Sequence, residues 1–115
     1  MQSINEIQGH VFTKVETDNS DYIRFYRADG KVVKMHHWQD CCENVSIEDI
    51  NGNMNDLVDT PILVAEERTD SGKGYYGDYY TWTFYTIRTI KGSVDIRWLG
   101  SSNGYYSERV NIDIE

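Results

Sequence analysis

Apolar and polar residues alternate with a period of two along much of the chain, which is the pattern of strands that bury one face. The alternation is clearest at Ile23 and Phe25 and, near the C-terminal end, at Val110, Ile112 and Ile114. Seven to eight such segments are separated by turn residues at intervals of about ten positions. The sequence therefore predicts a mainly β (β-rich α+β) fold, either a compact antiparallel sandwich or a partly open barrel of seven to eight strands.

Residues that favour caps and turns set the ends of the predicted elements. Ser3 and Asn53 are each placed to cap a single-turn helix, so one or two such helices are expected. Asp29 and Gly30 predict a tight hairpin turn, after which the third strand begins. The two histidines of that strand have opposite parity, and His37 is predicted to face inward.

The second half of the chain is predicted to contain a loop, a bent strand and a meander. Residues 69–78 include three glycines and show no apolar periodicity, which indicates an exposed loop. In the strand 79–90 the apolar parity changes before Ile87, so a β-bulge is predicted near Tyr85 or Thr86. The last three strands are predicted to pair as an antiparallel meander.

Composition limits the number of domains and the kinds of partner. The 115 residues, 39% of them hydrophobic, suffice for one core, so residues 1–115 are predicted to form a single domain. The formal charge of −8 disfavours direct nucleic-acid binding, since phosphate contacts need clustered Lys and Arg. An acidic surface is compatible with ordinary solubility or with a basic protein partner.

The chain begins without a signal-peptide pattern and has no apolar run of membrane-spanning length. A cytoplasmic location without membrane contact is therefore expected. The sequence does not distinguish a monomer from a homodimer.

The segment between the third and fourth predicted strands concentrates residues with metal-binding or nucleophilic chemistry. Thiolate and imidazole groups are preferred zinc ligands, and four residues there lie close enough in sequence to approach one point: His37, Asp40, Cys41 and Cys42. Adjacent cysteines are poor disulfide partners in a reducing compartment, so both thiols are expected to be reduced. The same residues would also allow a cysteine nucleophile with His37 as its base. A purely structural interpretation has buried thiols, a core histidine and a solvated Glu43.

A second inference rests on short motifs spread over residues 31–110. They are His37, Gln39-Asp40-Cys41-Cys42-Glu43, Ile47-Glu48-Asp49-Ile50, Ala65-Glu66-Glu67, Tyr80-Thr81-Trp82-Thr83-Phe84-Tyr85, Ile96-Arg97-Trp98 and Ser102-Asn103-Gly104-Tyr105-Tyr106-Ser107-Glu108. Through these motifs the chain resembles a family of small proteins encoded by phages and prophages, most of which are uncharacterised. Trp38 departs from the family pattern, in which an acidic or small polar residue stands at that place.

Within that setting the chain is similar to a zinc-containing anti-CRISPR protein directed against Cas9, the effector of type II systems. The resemblance implies an inhibitor of bacterial defence that is not an enzyme, acts in the host bacterial cytosol, blocks Cas9 by protein–protein binding and carries a structural zinc. Outward carboxylates and loop tyrosines are the expected contacts with a basic partner: Glu48, Tyr75, Tyr76, Asp95, Tyr105, Glu108 and Asp113.

Two other functions stay open at this point. One is a phage protein that sequesters a signalling nucleotide of host defence, with Trp82, Trp98 or Tyr106 stacked on its base, which would require a positive pocket for the phosphates. The other is a small metal- or thiol-dependent hydrolase, which would require an open coordination position and a reachable cleft.

Overall fold

The structure is a computed structural model that describes residues 3–74 and 77–115. Its strands are β1 (Phe12–Thr17), β2 (Tyr22–Arg27), β3 (Val32–His36), β4 (Asn44–Asn51), β5 (Val64–Lys73), β6 (Tyr79–Thr89), β7 (Gly92–Ser102) and β8 (Asn111–Ile114). Two single-turn 3-10 helices, Ile4–Ile7 and Met54–Leu57, precede β1 and β5. None of the helices among the described residues is long or apolar enough to cross a membrane.

The strands form two antiparallel sheets of four strands each. The first sheet has the order β1-β2-β3-β8, and the second sheet has the order β4-β7-β6-β5. The prediction of a mainly β fold with eight strands and two single-turn helices is confirmed. Because the two sheets do not close on one another, the sandwich alternative describes the fold and the barrel does not.

One hydrophobic core lies between the inner faces of the two sheets. Both sheets and both 3-10 helices contribute buried side chains to it: Ile4, Ile7, Phe12, Ile23, Phe25, Val33, Met35, Ile47, Leu57, Ile62, Ala65, Tyr85, Ile87, Val94, Ile96, Trp98, Val110 and Ile112. Apolar burial of this kind supplies the main favourable free energy of folding. Tyr85 is the polar member, and its hydroxyl donates a hydrogen bond of 2.8 Å to Glu67 Oε2.

Several local predictions are confirmed. The side chains of Ser3 and Asn53 accept hydrogen bonds from the backbone N–H groups two residues on, which caps the two 3-10 helices. Gly30 has a φ of 92°, as the predicted turn between β2 and β3 requires. His37 turns inward and His36 turns outward, because successive residues of a strand point to opposite faces.

The predicted loop at residues 69–78 is partly wrong, because β5 continues to Lys73 and pairs there with Tyr79 of β6. The predicted β-bulge near Tyr85 or Thr86 is also wrong, since β6 keeps an unbroken register with both of its neighbours. Odd-numbered residues of β6 from Thr83 onward face the core throughout, and the parity of Trp82 and Phe84 places these rings on the outer face.

The predicted C-terminal meander is wrong as well. β8 does not pair with β7 but crosses to the first sheet, where Met35 of β3 is the partner of Ile112. Residues 103–110 make this crossing. Turn propensity marks where a strand ends, but it does not say to which sheet the next strand belongs.

The position of β8 predicts a difference between two variants of the same strand. Ile112 is 1% exposed and Ile114 is 37% exposed. Ile112→Ala should lower the free energy of unfolding by about 2–4 kcal/mol, because it leaves a cavity between the sheets. Ile114→Ala should cost less than about 1 kcal/mol. Urea unfolding followed by tryptophan fluorescence measures both, and equal small losses would contradict the burial of β8.

Candidate functional site

The corner formed by residues 37–43 connects β3 of the first sheet to β4 of the second sheet. The side chain of Glu43 is fully enclosed there, whereas the purely structural interpretation of the sequence had it solvated. An enclosed charge is costly unless its oxygens accept hydrogen bonds. The residues that supply these bonds therefore define how the corner is built.

The carboxylate of Glu43 accepts hydrogen bonds from side chains and from backbone N–H groups of the corner. His37 Nε2 lies 2.8 Å from Glu43 Oε2, the backbone N–H groups of Asp40 and Cys41 donate at 2.9 Å each, and Gln39 Nε2 donates at 3.2 Å. The hydrogen bond from His37, together with the backbone donors, lowers the pKa of Glu43 from its ordinary value to about 2. The ionised carboxylate thus organises the whole corner around itself.

His37 extends this network to the opposite crossing of the chain. Its Nδ1 atom lies 2.7 Å from the carbonyl oxygen of Arg109, which belongs to the 103–110 segment between β7 and β8. Both ring nitrogens of His37 therefore lie within hydrogen-bond distance of an oxygen atom, one of a carbonyl and one of a carboxylate. The two crossings between the sheets are tied together through one imidazole ring.

The predicted zinc ligands are arranged differently from a metal site. Both nitrogens of His37 are engaged, the Sγ atoms of Cys41 and Cys42 are bonded to each other as a vicinal disulfide, and Asp40 is exposed. The thiols expected to be reduced are joined in this structure, and the carboxylate beside His37 is Glu43, not that of the predicted ligand Asp40. Across residues 3–74 and 77–115, no group of three or more His, Cys, Asp and Glu side chains is placed to hold a metal. This arrangement does not fit zinc, and the zinc site stays a prediction of the sequence. For the same reasons, His37 is not placed here as the base of a cysteine nucleophile.

The outer face of the second sheet carries aromatic side chains at its centre. Trp82 and Phe84 project from β6, with ring centroids 6.4 Å apart and ring planes at 19°. The guanidinium of Arg68 lies 4.9 Å from the centroid of Phe84, and that of Arg97 lies 5.6 Å from the centroid of Trp82. We call the outward residues of this sheet the aromatic–carboxylate face: Asn44, Ser46, Glu48, Asp49, Asn51, Glu66, Arg68, Asp70, Gly72, Tyr80, Trp82, Phe84, Thr86, Arg88, Ser93, Asp95, Arg97, Leu99 and Ser101.

Acidic residues surround these rings. Within the described part of the chain, the carboxylates of Asp49, Glu66, Asp70 and Asp95 form no ion pair, although Asp95 accepts a hydrogen bond of 2.9 Å from Thr86. Glu48 is 3.0 Å from Arg97. The face therefore combines apolar rings with carboxylates that have no cationic partner in the described residues.

The outer face of the first sheet balances its charges internally. Glu16 lies 3.3 Å from Lys14 and 3.6 Å from Arg24, while Glu115 lies 3.7 Å from Arg24 and 3.8 Å from Lys34. Each pair is partly exposed and stabilises the fold only slightly. The neighbouring cations also offset the electric field of these carboxylates, which reduces the attraction of this face for other cations.

Trp38 is an exposed aromatic residue that was not among the predicted contacts. It is 65% exposed, yet its indole Nε1 donates at 2.8 Å to Asp113 and its backbone N–H donates to Asn111. Burial raises the pKa of Asp113, but hydrogen bonds from His36 and Trp38 outweigh it and the pKa is lowered overall. A tryptophan at the end of a strand, outside any apolar pattern, was the sequence signal that could have identified this residue.

The predicted contact residues do not share one surface. Glu48 and Asp95 lie on the second sheet, Asp113 lies on the first sheet, and Tyr105 lies in the 103–110 segment, where it is 83% exposed. The carboxylate of Glu108 is held internally by Thr81 and Ser102. Tyr75 and Tyr76 are outside the described residues.

Comparison with known proteins adds a family but no activity. The family model described as "Domain of unknown function (DUF7448)" matches residues 5–112, which is nearly the whole chain. No curated protein and no solved structure matches the chain.

The buried carboxylate predicts a loss of stability when its charge is removed. Glu43→Gln keeps the shape but loses the charge that pairs with His37, and its amide NH₂ would face backbone donors. We expect the melting temperature to fall by roughly 10 °C, whereas Glu48→Gln, at an exposed ion pair, should change it by less than about 2 °C. Since the pKa of Glu43 is lowered, this stabilisation should be complete above pH 4.5 and be lost as the pH falls toward 2. Calorimetry across this pH range checks both statements, and equal effects of the two variants would refute them.

Measuring the metal content distinguishes a corner that binds zinc from a corner that is organised only by the His37–Glu43 pair. His37→Ala should lower the melting temperature in either case, because it leaves Glu43 enclosed without its partner. If Cys41 is a ligand, Cys41→Ser should release zinc from protein purified with a reductant. If the ion pair alone organises the corner, Cys41→Ser should leave metal content and melting temperature unchanged. Mass spectrometry of metals and differential scanning fluorimetry on both variants decide between these outcomes.

Proposed function

We propose that this chain, which belongs to the DUF7448 family, is a non-enzymatic inhibitor that occupies a positively charged surface of a nucleic-acid-processing enzyme. The first candidate is Cas9, the effector of type II CRISPR systems, and the proposed place of action is the host bacterial cytosol. Inhibition by this route needs no chemical step, only a surface that competes with nucleic acid for a basic channel.

One observation carries the proposal, and it is the unequal charge pairing of the two outer faces. Carboxylates of the first sheet have neighbouring cations, whereas Asp49, Glu66, Asp70 and Asp95 of the second sheet form no ion pair among the described residues. The carboxylates of this face, Glu48, Asp49, Glu66, Asp70 and Asp95, outnumber its arginines, Arg68, Arg88 and Arg97, so the face attracts an approaching basic surface. Such attraction raises the association rate and selects partners of opposite charge.

The enclosed corner supports this role as a rigid scaffold. Through His37, Glu43 is connected to the Arg109 carbonyl, so the two crossings between the sheets hold each other in place. A surface that is already ordered loses little conformational entropy when a partner covers it. The corner therefore supports recognition by keeping the two sheets in fixed positions.

A second candidate, sequestration of a signalling nucleotide, is favoured by the guanidinium groups of Arg68 and Arg97 beside Phe84 and Trp82. Of the predicted stacking residues, Trp98 is excluded because it is 0% exposed. The surrounding carboxylates oppose phosphate binding. The protein–protein function is therefore preferred, and the nucleotide function follows only if no protein partner binds.

The electrostatic proposal predicts a strong dependence of binding on salt. The association rate with purified, guide-loaded Cas9 should fall at least about tenfold between 50 and 300 mM NaCl, since the Debye length shortens below about 8 Å over this range. Surface plasmon resonance against a panel of Cas9 proteins measures this rate. A gel shift with duplex DNA alone should show no complex. Tight binding to free DNA, or no binding to any Cas9 of the panel, would reject the proposal.

A further inference from the structure

We propose that the aromatic–carboxylate face is the surface with which this protein contacts its basic partner, an inference that rests on the function proposed above. Trp82 and Phe84 form the centre of the contact, and Asp70 and Asp95 belong to its rim. The partner is a protein surface rich in arginine and lysine.

Two large rings lie on the outer face of the second sheet. The outer face of an antiparallel sheet is normally polar, while its inner face packs on the core. Here Trp82 and Phe84 occupy the outer face of β6, a central strand, and Leu99 of β7 lies opposite Trp82 in the register. All three side chains are half-buried, so they form a partly accessible apolar patch at the centre of this face, and such a patch is a candidate interaction site.

Regular strand pairing holds this surface in place. β6 pairs with both neighbours over its length without a register shift, so the spacing of the outward side chains is fixed. Gly72 of β5 lies opposite Tyr80, and a Cβ atom there would collide with the Tyr80 hydroxyl oxygen. The Tyr80 ring therefore lies across Gly72 and extends the aromatic surface toward the β5–β6 turn. A surface that is preformed in this way loses little conformational entropy on binding.

The rings of Trp82 and Phe84 already make cation–π contacts within the protein. Guanidinium groups of the protein's own Arg68 and Arg97 lie over Phe84 and Trp82 at distances typical of cation–π contacts. The same ring faces can accept arginine side chains of a partner at their remaining exposed area. Tryptophan, tyrosine and arginine are also the residue types that dominate interface energetics.

The charge of the carboxylates around the rings distinguishes between possible kinds of partner. The rings are bordered by Asp49, Glu66, Asp70 and Asp95, for which the described residues provide no ion pair. A nucleic acid would be repelled by these carboxylates. A second copy of the chain would bring like charges against one another, which is costly at an interface. A basic protein surface neutralises them, and it is the occupant that the charge pattern fits.

The test compares matched variants of the full-length protein for binding to guide-loaded Cas9 by surface plasmon resonance. Trp82→Thr removes the central ring while keeping a residue that favours strands, and it should raise Kd at least about 30-fold. Asp70→Lys, at an exposed position, should slow association at least about fivefold.

The controls lie outside the proposed surface. Tyr22→Thr removes a half-buried ring from the outer face of the first sheet, and Asp21→Lys changes the net charge by the same amount as Asp70→Lys. Both controls should bind within about twofold of the wild type. Melting temperatures are measured for every variant, and Asp70→Lys carries the test if Trp82→Thr fails to fold.

The outcomes separate the surface from the function. If Trp82→Thr and Asp70→Lys both fold and bind as tightly as the wild type, the proposed surface is wrong. The proposed function would not be affected by that result. If the control variants lose as much binding to Cas9 as the test variants, the contact surface is not confined to the second sheet. Absence of wild-type binding to every Cas9 of the panel would reject the proposed function, and this inference with it.

Discussion

The enclosed carboxylate of Glu43 is the interaction on which the end of the sandwich depends. The chain passes between the sheets at residues 37–43 and again at residues 103–110, and neither passage has strand hydrogen bonds of its own to hold it. Glu43 accepts hydrogen bonds within the first passage, and His37 connects it to the Arg109 carbonyl of the second. A carboxylate can do this because its two oxygens accept several hydrogen bonds at once, and burial strengthens each of them.

This constraint reaches the surface through neighbouring residues. Trp38 follows His37 directly, and its indole is fixed by Asp113 on β8, the strand that follows the Arg109 segment. The internal polar network and the exposed tryptophan are therefore parts of one rigid unit. On the second sheet the same result is reached differently, since the unbroken register of β6 fixes Trp82 and Phe84 without any enclosed charge.

Local features of the fold could be predicted from the sequence, and long-range ones could not. Ile23, Phe25, Val33 and Met35 alternate with polar residues, so their strands and inward faces follow from period alone. The pairing of Ile112 with Met35 leaves no local signal, because β8 alternates in the same way whichever strand it joins. The burial of Glu43 leaves no signal in the hydrophobic pattern either, since it depends on hydrogen bonds from His37 and from backbone N–H groups.

The β6 strand shows why hydrophobicity alone assigns the wrong face. Trp82 and Phe84 are the more apolar set by side chain, yet Thr83 and Tyr85 of the opposite parity are buried. Tyr85 can occupy the core because its hydroxyl has an acceptor in Glu67, and burial raises the pKa of Tyr85 so that the hydroxyl keeps its proton. The same parity buries Ile87 and leaves Arg88 outside, while Trp82 and Phe84 stay half-buried on the outer face, so the strand as a whole and not these two rings sets which face is buried. These half-buried outward rings are therefore the basis on which we propose a contact surface for a partner.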